Sequence, residues 1–167
     1  PGSVIIAANE GTRALLVEVQ ALVGKTSYPS PRRVSTGVEY NRLLQIIAVL
    51  EKRIGLQLSS HDVYVNVIGG IEIDEPAADL GIALAIATCF RDVVVSSDCV
   101  IIGEISLSGE IRNVSNIEKR IYEAQKLGFK KAIVPKQNKK LSENFDIEIV
   151  EVPRLIDAIK VCVSKSN

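Results

Sequence analysis

Two carboxylates, Asp74 and Glu75, stand directly before Pro76 and Ala77, and a third, Asp79, follows two residues on. Neighbouring carboxylates can divide acid and base roles, because one holds its proton while the other stays charged. At a helix start the same pair does a plainer job, complementing the positive end of the helix dipole, and that is the expected job here. The other chemistry-bearing residues are isolated. His61 is the single histidine and has no Cys or His neighbour in sequence, whereas a metal site draws on three or four ligands, so it is expected in a loop and no metal site is expected. Cys89, Cys99 and Cys162 sit in apolar runs without Cys-x-x-Cys spacing. They read as buried thiols of a reducing compartment, not as a zinc site or redox pair. No Gly-x-x-x-x-Gly-Lys-Ser/Thr run occurs, so the phosphate cradle of a P-loop ATPase is missing. Lys136, Lys139 and Lys140 lie in a charged segment over 136–143 that reads as a solvated face.

The carboxylates are positioned by a strand that turns into a helix. Val63 to Ile68 is rich in β-branched residues and ends at Gly69-Gly70. A helix follows with Pro76 in its first turn, where a missing N–H costs nothing, and with Asp74 as the expected N-cap. Leu80, Ile82, Leu84 and Ile86, with small residues between, make this helix apolar nearly all round, so it is predicted to be buried. A Gly-rich corner of this kind often carries a nucleophile or a phosphate.

Around it, 167 residues suffice for one domain with a core of its own. Apolar residues are 47% of the chain but aromatics only 4%, with no Trp or Met, so the core must be aliphatic. Twenty basic and twenty acidic residues cancel, and any nucleic-acid binding has to come from a local patch. With no signal peptide or membrane-length apolar run, a cytoplasmic location is expected. Pro1-Gly2 reads as native or as a cloning remnant.

Val4–Ala8 and Ala14–Val23 read as a hairpin around Asn9-Glu10-Gly11-Thr12-Arg13. A Pro/Ser loop ending at Arg32-Arg33 precedes a short edge strand at Val34-Ser35. A helix is predicted over Val38–Ile54, opened by a Thr36/Glu39 capping box and closed by Gly55, with Arg42 on its solvated side. Cys99–Leu107 reads as one strand, turned back at Ser108-Gly109 into Glu110–Val114. A third helix is expected from Ser115, with a Ser115/Glu118 capping box, a buried side of Ile117, Ile121, Ala124 and Leu127, and Gly128 at its end. Strands at Phe129–Pro135 and Ile147–Val152 and a helix after Pro153 complete the chain. The pattern predicts an α/β (α+β two-layer) fold, a mixed sheet with helices mainly on one face, over 1–167.

Gly69-Gly70 with Asp74-Glu75-Pro76-Ala77-Ala78-Asp79, and Gly103-Glu104-Ile105-Ser106-Leu107-Ser108-Gly109, resemble the proteolytic domain of Lon proteases, whose fold is that of ribosomal protein S5 domain 2. The first is similar to the corner bearing that family's Gly-Pro-Ser-Ala-Gly nucleophile motif, the second to the hairpin before its lysine helix. Glu10–Arg13, Leu16–Leu22, Pro31–Gly37, Asn41–Leu43 and Ala48–Arg53 carry a closer resemblance. They are similar to the C-terminal Lon-like domain of the bacterial RadA (Sms) family of DNA repair proteins, over residues 3–163.

The Lon resemblance implies a serine nucleophile activated by a neutral lysine. The matching positions are Ala77 and Glu118. Lys119 is turned by ~100° on a helix of ~3.6 residues per turn. The expectation is a chain without protease activity, a relocated dyad through Ser106 or Ser108 being the alternative. The RadA resemblance implies an assembly platform, with ATP, magnesium and zinc bound by parts of the parent protein outside this chain and no cofactor within it. It implies a homo-oligomer, a hexameric ring by analogy with Lon, acting in branch migration and DNA break repair. The implied partners are single-stranded or branched DNA and the recombinase RecA, with no membrane, and a scaffold that only oligomerises is the other alternative. Arg13, Arg32, Arg33 and Arg42 are the candidate DNA contacts, because a planar guanidinium presents paired donors to phosphate; ion pairing between subunits is the competing use.

Overall fold

The computed structural model describes residues 1–141 and 144–163, so residues 142 and 143 of the expected charged segment lie outside the described residues. Strands β1 (Ser3–Glu10), β2 (Arg13–Lys25), β3 (Arg33–Thr36) and β4 (His61–Val67) come first, with helix α1 (Tyr40–Val49) between the last two. Helix α2 (Asp79–Phe90) is followed by β5 (Cys99–Ile101) and a small hairpin, β6 (Glu104–Ile105) and β7 (Ile111–Arg112). Helix α3 (Ile117–Lys126), β8 (Lys131–Pro135), β9 (Glu148–Val152) and α4 (Leu155–Val163) end the chain. The seven-stranded sheet runs β3-β4-β2-β1-β5-β8-β9. Only β1–β2 and β2–β4 pair antiparallel in it; the other neighbours are parallel.

Strand alternation divides the core into two. In β1, Val4, Ile6 and Ala8 point into the larger core, shared with α1, α2 and α4, while Ala7 points into a smaller one under α3. Three helices thus cover one face and one covers the other, and β8 is buried along its whole length as a doubly covered parallel strand should be. In β2 the inward set is Val17, Val19 and Ala21, while Gln20 and Leu22 face solvent. Gly81 decides how closely α2 approaches the sheet: a Cβ there would sit 2.2 Å from Ile6 Cγ2.

Several expected boundaries are corrected. Thr36 ends β3, and α1 starts at Tyr40 with Glu39 as an N-cap that makes no side-chain bond, so the Thr36/Glu39 box does not form. The helix runs on as a π-helical turn, Leu50–Ile54, before Gly55 ends it in the left-handed region. The strand expected over Cys99–Leu107 breaks after Ile101, because Gly103 bonds instead to the corner described below. Helix α3 starts two residues late, after Asn116 at φ 58, a conformation Asn tolerates. That leaves Ser115 outside the helix, with Asn116 and not Ser115 in the N-cap position. His61 begins a strand rather than occupying a loop; its ring packs edge-on to Phe90 at 5.1 Å and its Nδ1 lies 2.9 Å from the Gln57 carbonyl.

Candidate functional site

The corner between β4 and α2 is a single 3₁₀ turn, Pro76–Ala78, running directly into α2. Asp74 is not its cap; Glu75 takes that position and its side chain is engaged elsewhere. The Gly103 N–H donates to the Ala77 carbonyl at 3.1 Å, and the Leu80 N–H donates to the Gly103 carbonyl at 3.0 Å. The β6–β7 hairpin is thereby fastened to the turn. Ala77 itself is 3% exposed.

A carboxylate on each side of Ala77 is held by an arginine from another helix. Asp79 takes a two-pronged contact from Arg42, with Nε at 2.6 Å from Oδ1 and Nη2 on Oδ2, and accepts the Ile105 N–H at 3.1 Å. Burial pushes the Asp79 carboxyl up, opposed by the Arg42 hydrogen bond and the Ile105 N–H, and the same Arg42–Asp79 bond raises the arginine. Asp79 is thus a 1% exposed node joining α1, α2 and β6. Glu75 accepts Arg120 Nη1 at 2.6 Å, Nη2 at 3.2 Å and the Asn9 N–H at 3.0 Å. Arg120, itself 1% exposed, also donates to the carbonyls of Ala7 at 2.5 Å and Ser115 at 3.0 Å. A small cleft of about 110 Å³ lies between Arg42, Asp74, Pro76 and Asp79, and Ala77 is not among its walls. Small-molecule sites usually start near ~300 Å³. The Ser106 and Ser108 hydroxyls lie 2.9 Å apart and bond each other.

The four candidate arginines do not form one patch. Arg42, expected on the solvated side of its helix, is turned into the Asp79 pair. Arg33 donates to the carbonyls of Leu58, at 2.8 Å, and His61, and lies 3.7 Å from Glu51. Arg13 and Arg32 are exposed. Arg13 opens β2, whereas Arg32 stands before β3 beside Asp62, level with Gly24 near the other end of β2 and roughly 35 Å away along strands that rise ~3.3 Å per residue. Arg32 lies with its guanidinium carbon 3.8 Å above the Tyr28 ring, and its backbone N–H donates to Asp62 Oδ1 at 2.7 Å. That bond is the main reason the Asp62 carboxyl falls below the ordinary aspartate range.

A family model described as subunit ChlI of Mg-chelatase matches residues 35–138, from β3 past the corner, the hairpin and α3. The chain belongs to this family. Within the ChlI/Lon-like group its similarity to proteins described as DNA repair protein RadA is high and runs nearly end to end. It is 54% identical to that of Synechocystis sp. over 162 residues, 97% of this chain and 32% of the relative. It is 47% identical to the Bacillus subtilis protein over 160 residues, 95% of this chain and 35% of the relative. The Escherichia coli protein is 45% identical over 160 residues, 96% of this chain and 35% of the relative. The chain thus spans about a third of the length of the RadA proteins it matches, and the resemblance to their C-terminal Lon-like domain holds.

Placed on the Gly-Pro-Ser-Ala-Gly motif of that resemblance, Glu75 and Asp79 occupy the two glycine positions and Ala77 the serine position. Both clamped carboxylates therefore stand where the motif has no side chain. Glu118, at the lysine position, is half-buried on α3, and Lys119 is exposed. The residue that the sequence reading missed is Arg120. Its signal was its place on the Ile117, Ile121 and Ala124 stripe, where a charge has to find a buried partner. Among the described residues no three His, Cys, Asp or Glu side chains gather to hold a metal, and no helix is long and apolar enough to cross a membrane.

Proposed function

We propose that this chain is a non-catalytic Lon-like domain that serves assembly and DNA contact within a DNA-dependent repair ATPase. The observation that carries this reading is the clamped corner. Glu75–Arg120 and Asp79–Arg42 replace the open glycine positions around Ala77, so the corner's polar groups are spent on joining α1, α2, α3, β1 and β6. Such a node suits a rigid scaffold, and it offers neither the serine nucleophile nor the lysine base at the matching positions. The near end-to-end similarity to proteins described as DNA repair protein RadA supports the repair role. In this reading the parent protein processes recombination intermediates by branch migration, binds ATP, magnesium and zinc through its other parts, and works in the cytoplasm with RecA. This domain builds its homo-oligomeric ring. Arg13 and Arg32, the two candidates not consumed within the fold, are the DNA contacts. Arg33 and Arg42 hold the domain together.

The test assays one preparation twice. Casein and an acyl ester should not be hydrolysed, and Ala77→Ser alone should restore nothing, because Glu118 cannot act as the neutral lysine does. A labelled oligonucleotide should bind, more weakly as salt rises. Hydrolysis lost on changing Ser106 or Ser108 would instead establish the relocated dyad, and assembly without DNA binding would leave an oligomerising scaffold.

A further inference from the structure

The loop between β2 and β3 is built to hold one aromatic ring and one guanidinium together in the open. Tyr28-Pro29-Ser30-Pro31-Arg32 contains two prolines, each fixing its own φ. Both ends of the loop are tied down. The Thr26 N–H donates to the Ser60 carbonyl at 2.9 Å and the Tyr28 N–H to Thr26 Oγ1 at 3.1 Å. At the far end the Arg32 N–H is held by Asp62 Oδ1 at 2.7 Å, and the Arg32 carbonyl accepts the Val63 N–H at 2.9 Å. Between these anchors Arg32 lies 3.8 Å over the Tyr28 ring, and Tyr28 remains 45% exposed.

Tyr40 and Tyr122 are as exposed as Tyr28, but both lie on helices, whereas Tyr28 sits in an anchored loop with an arginine over its ring. Stacked Arg–Tyr pairs are flat on the scale of a nucleobase, which stacks on guanidinium planes as well as on rings. Lys25, exposed at the end of β2, adds a second cation beside the loop. We infer that the Tyr28–Arg32 pair is a stacking platform for an unpaired base of single-stranded DNA, with Arg32 and Lys25 meeting the flanking phosphates. A base inside a duplex cannot lie on such a platform because its faces are already covered, so the pair favours single strands. The inference rests on the DNA-contacting role proposed above and adds the form of DNA and the residue that reads it.

The chain has no tryptophan, so Tyr28→Trp introduces a single tryptophan at the platform, excited selectively beyond the absorption of the remaining tyrosines. Oligothymidylate should quench its emission, and a duplex of the same length should not. In parallel, Tyr28→Ala should weaken oligothymidylate binding by about fivefold or more, the lower end of a base–aromatic stack, while Tyr28→Phe keeps it within about twofold. Duplex binding should change little in either variant, and thermal unfolding should match the wild type because the ring supports no core. Single-strand affinity unchanged in Tyr28→Ala, or single-strand and duplex affinities lowered alike, overturns the platform while leaving DNA contact standing. A wild-type chain that binds neither form overturns both.

Discussion

Glu75 and Asp79 each place a carboxylate where the protease motif has glycine, and each is matched by an arginine from a different helix. Neither partner is visible from spacing: Arg42 reads as a solvated residue of an amphipathic helix, and the place of Arg120 on the apolar stripe of α3 asks for a buried partner without naming it. What was legible was the acidic corner itself, the missing serine at Ala77 and the burial of α2. The partners were not, because salt bridges across 37 and 45 residues depend on how helices cross, which local pattern does not encode. The helix starts expected from the capping boxes moved for a related reason. Ser-x-x-Glu spacing is a local preference, and at Ser115 a left-handed Asn116 moves the helix start. The Glu75–Arg120 pair gives the firmest stability expectation at this scale. Removing Glu75 strands the 1% exposed Arg120 charge, and stranding one partner of a buried pair typically costs ~3–5 kcal/mol. Urea unfolding of Glu75→Leu should show a loss of this order, and Glu75→Leu with Arg120→Met should recover part of it. A loss below about 1 kcal/mol in Glu75→Leu would mean the node is not structural.

At the scale of elements, the hairpin of β1 and β2, the edge strand β3 and the all-round apolar α2 follow from periodicity and turn residues. The break at Gly103 does not. Ile101, Ile102, Ile105 and Leu107 keep an apolar rhythm through it, and only the hydrogen bonds of Gly103 to Ala77 and Leu80 turn the chain out of the sheet. Packing of α2 on β1 turns on a residue whose sequence signal is slight. Gly81 in the first turn of α2 lowers helix propensity, yet a methyl group there would collide with Ile6. Gly81→Ala should therefore destabilise the chain by about 1–3 kcal/mol, the usual cost of overpacking, despite alanine's better propensity. Chemical denaturation checks it, and a Gly81→Ala protein as stable as wild type would show that α2 can shift away from the sheet without loss. The anchor of the Tyr28–Arg32 loop carries its own pH signature. Asp62 is held below its unfolded value, so its contribution is complete above about pH 4 and disappears as pH falls through the lower folded-state value.

At the scale of the whole molecule, net charge zero hides an uneven division of labour among the arginines. Of the four candidates, Arg33 and Arg42 are consumed inside the fold, as Arg120 is, while Arg13 and Arg32 stand exposed and far apart. A single domain of this span could not set both on one short phosphate run. Composition pointed to a local basic patch; the fold splits that patch because β2 continues to Lys25 and carries the Pro loop away from the hairpin tip. The central claim is that DNA contact belongs to Arg13 and Arg32 and not to Arg33 and Arg42. Titration of a fluorescent single strand across a salt series, with wild type, Arg13→Ala and Arg32→Ala at equal oligomeric state, tests it most directly. Each variant should bind more weakly, with a slope of log affinity against log salt shallower by about 0.7, as expected for one lost phosphate contact to single-stranded DNA. Affinity and slope unchanged in both variants would contradict the account.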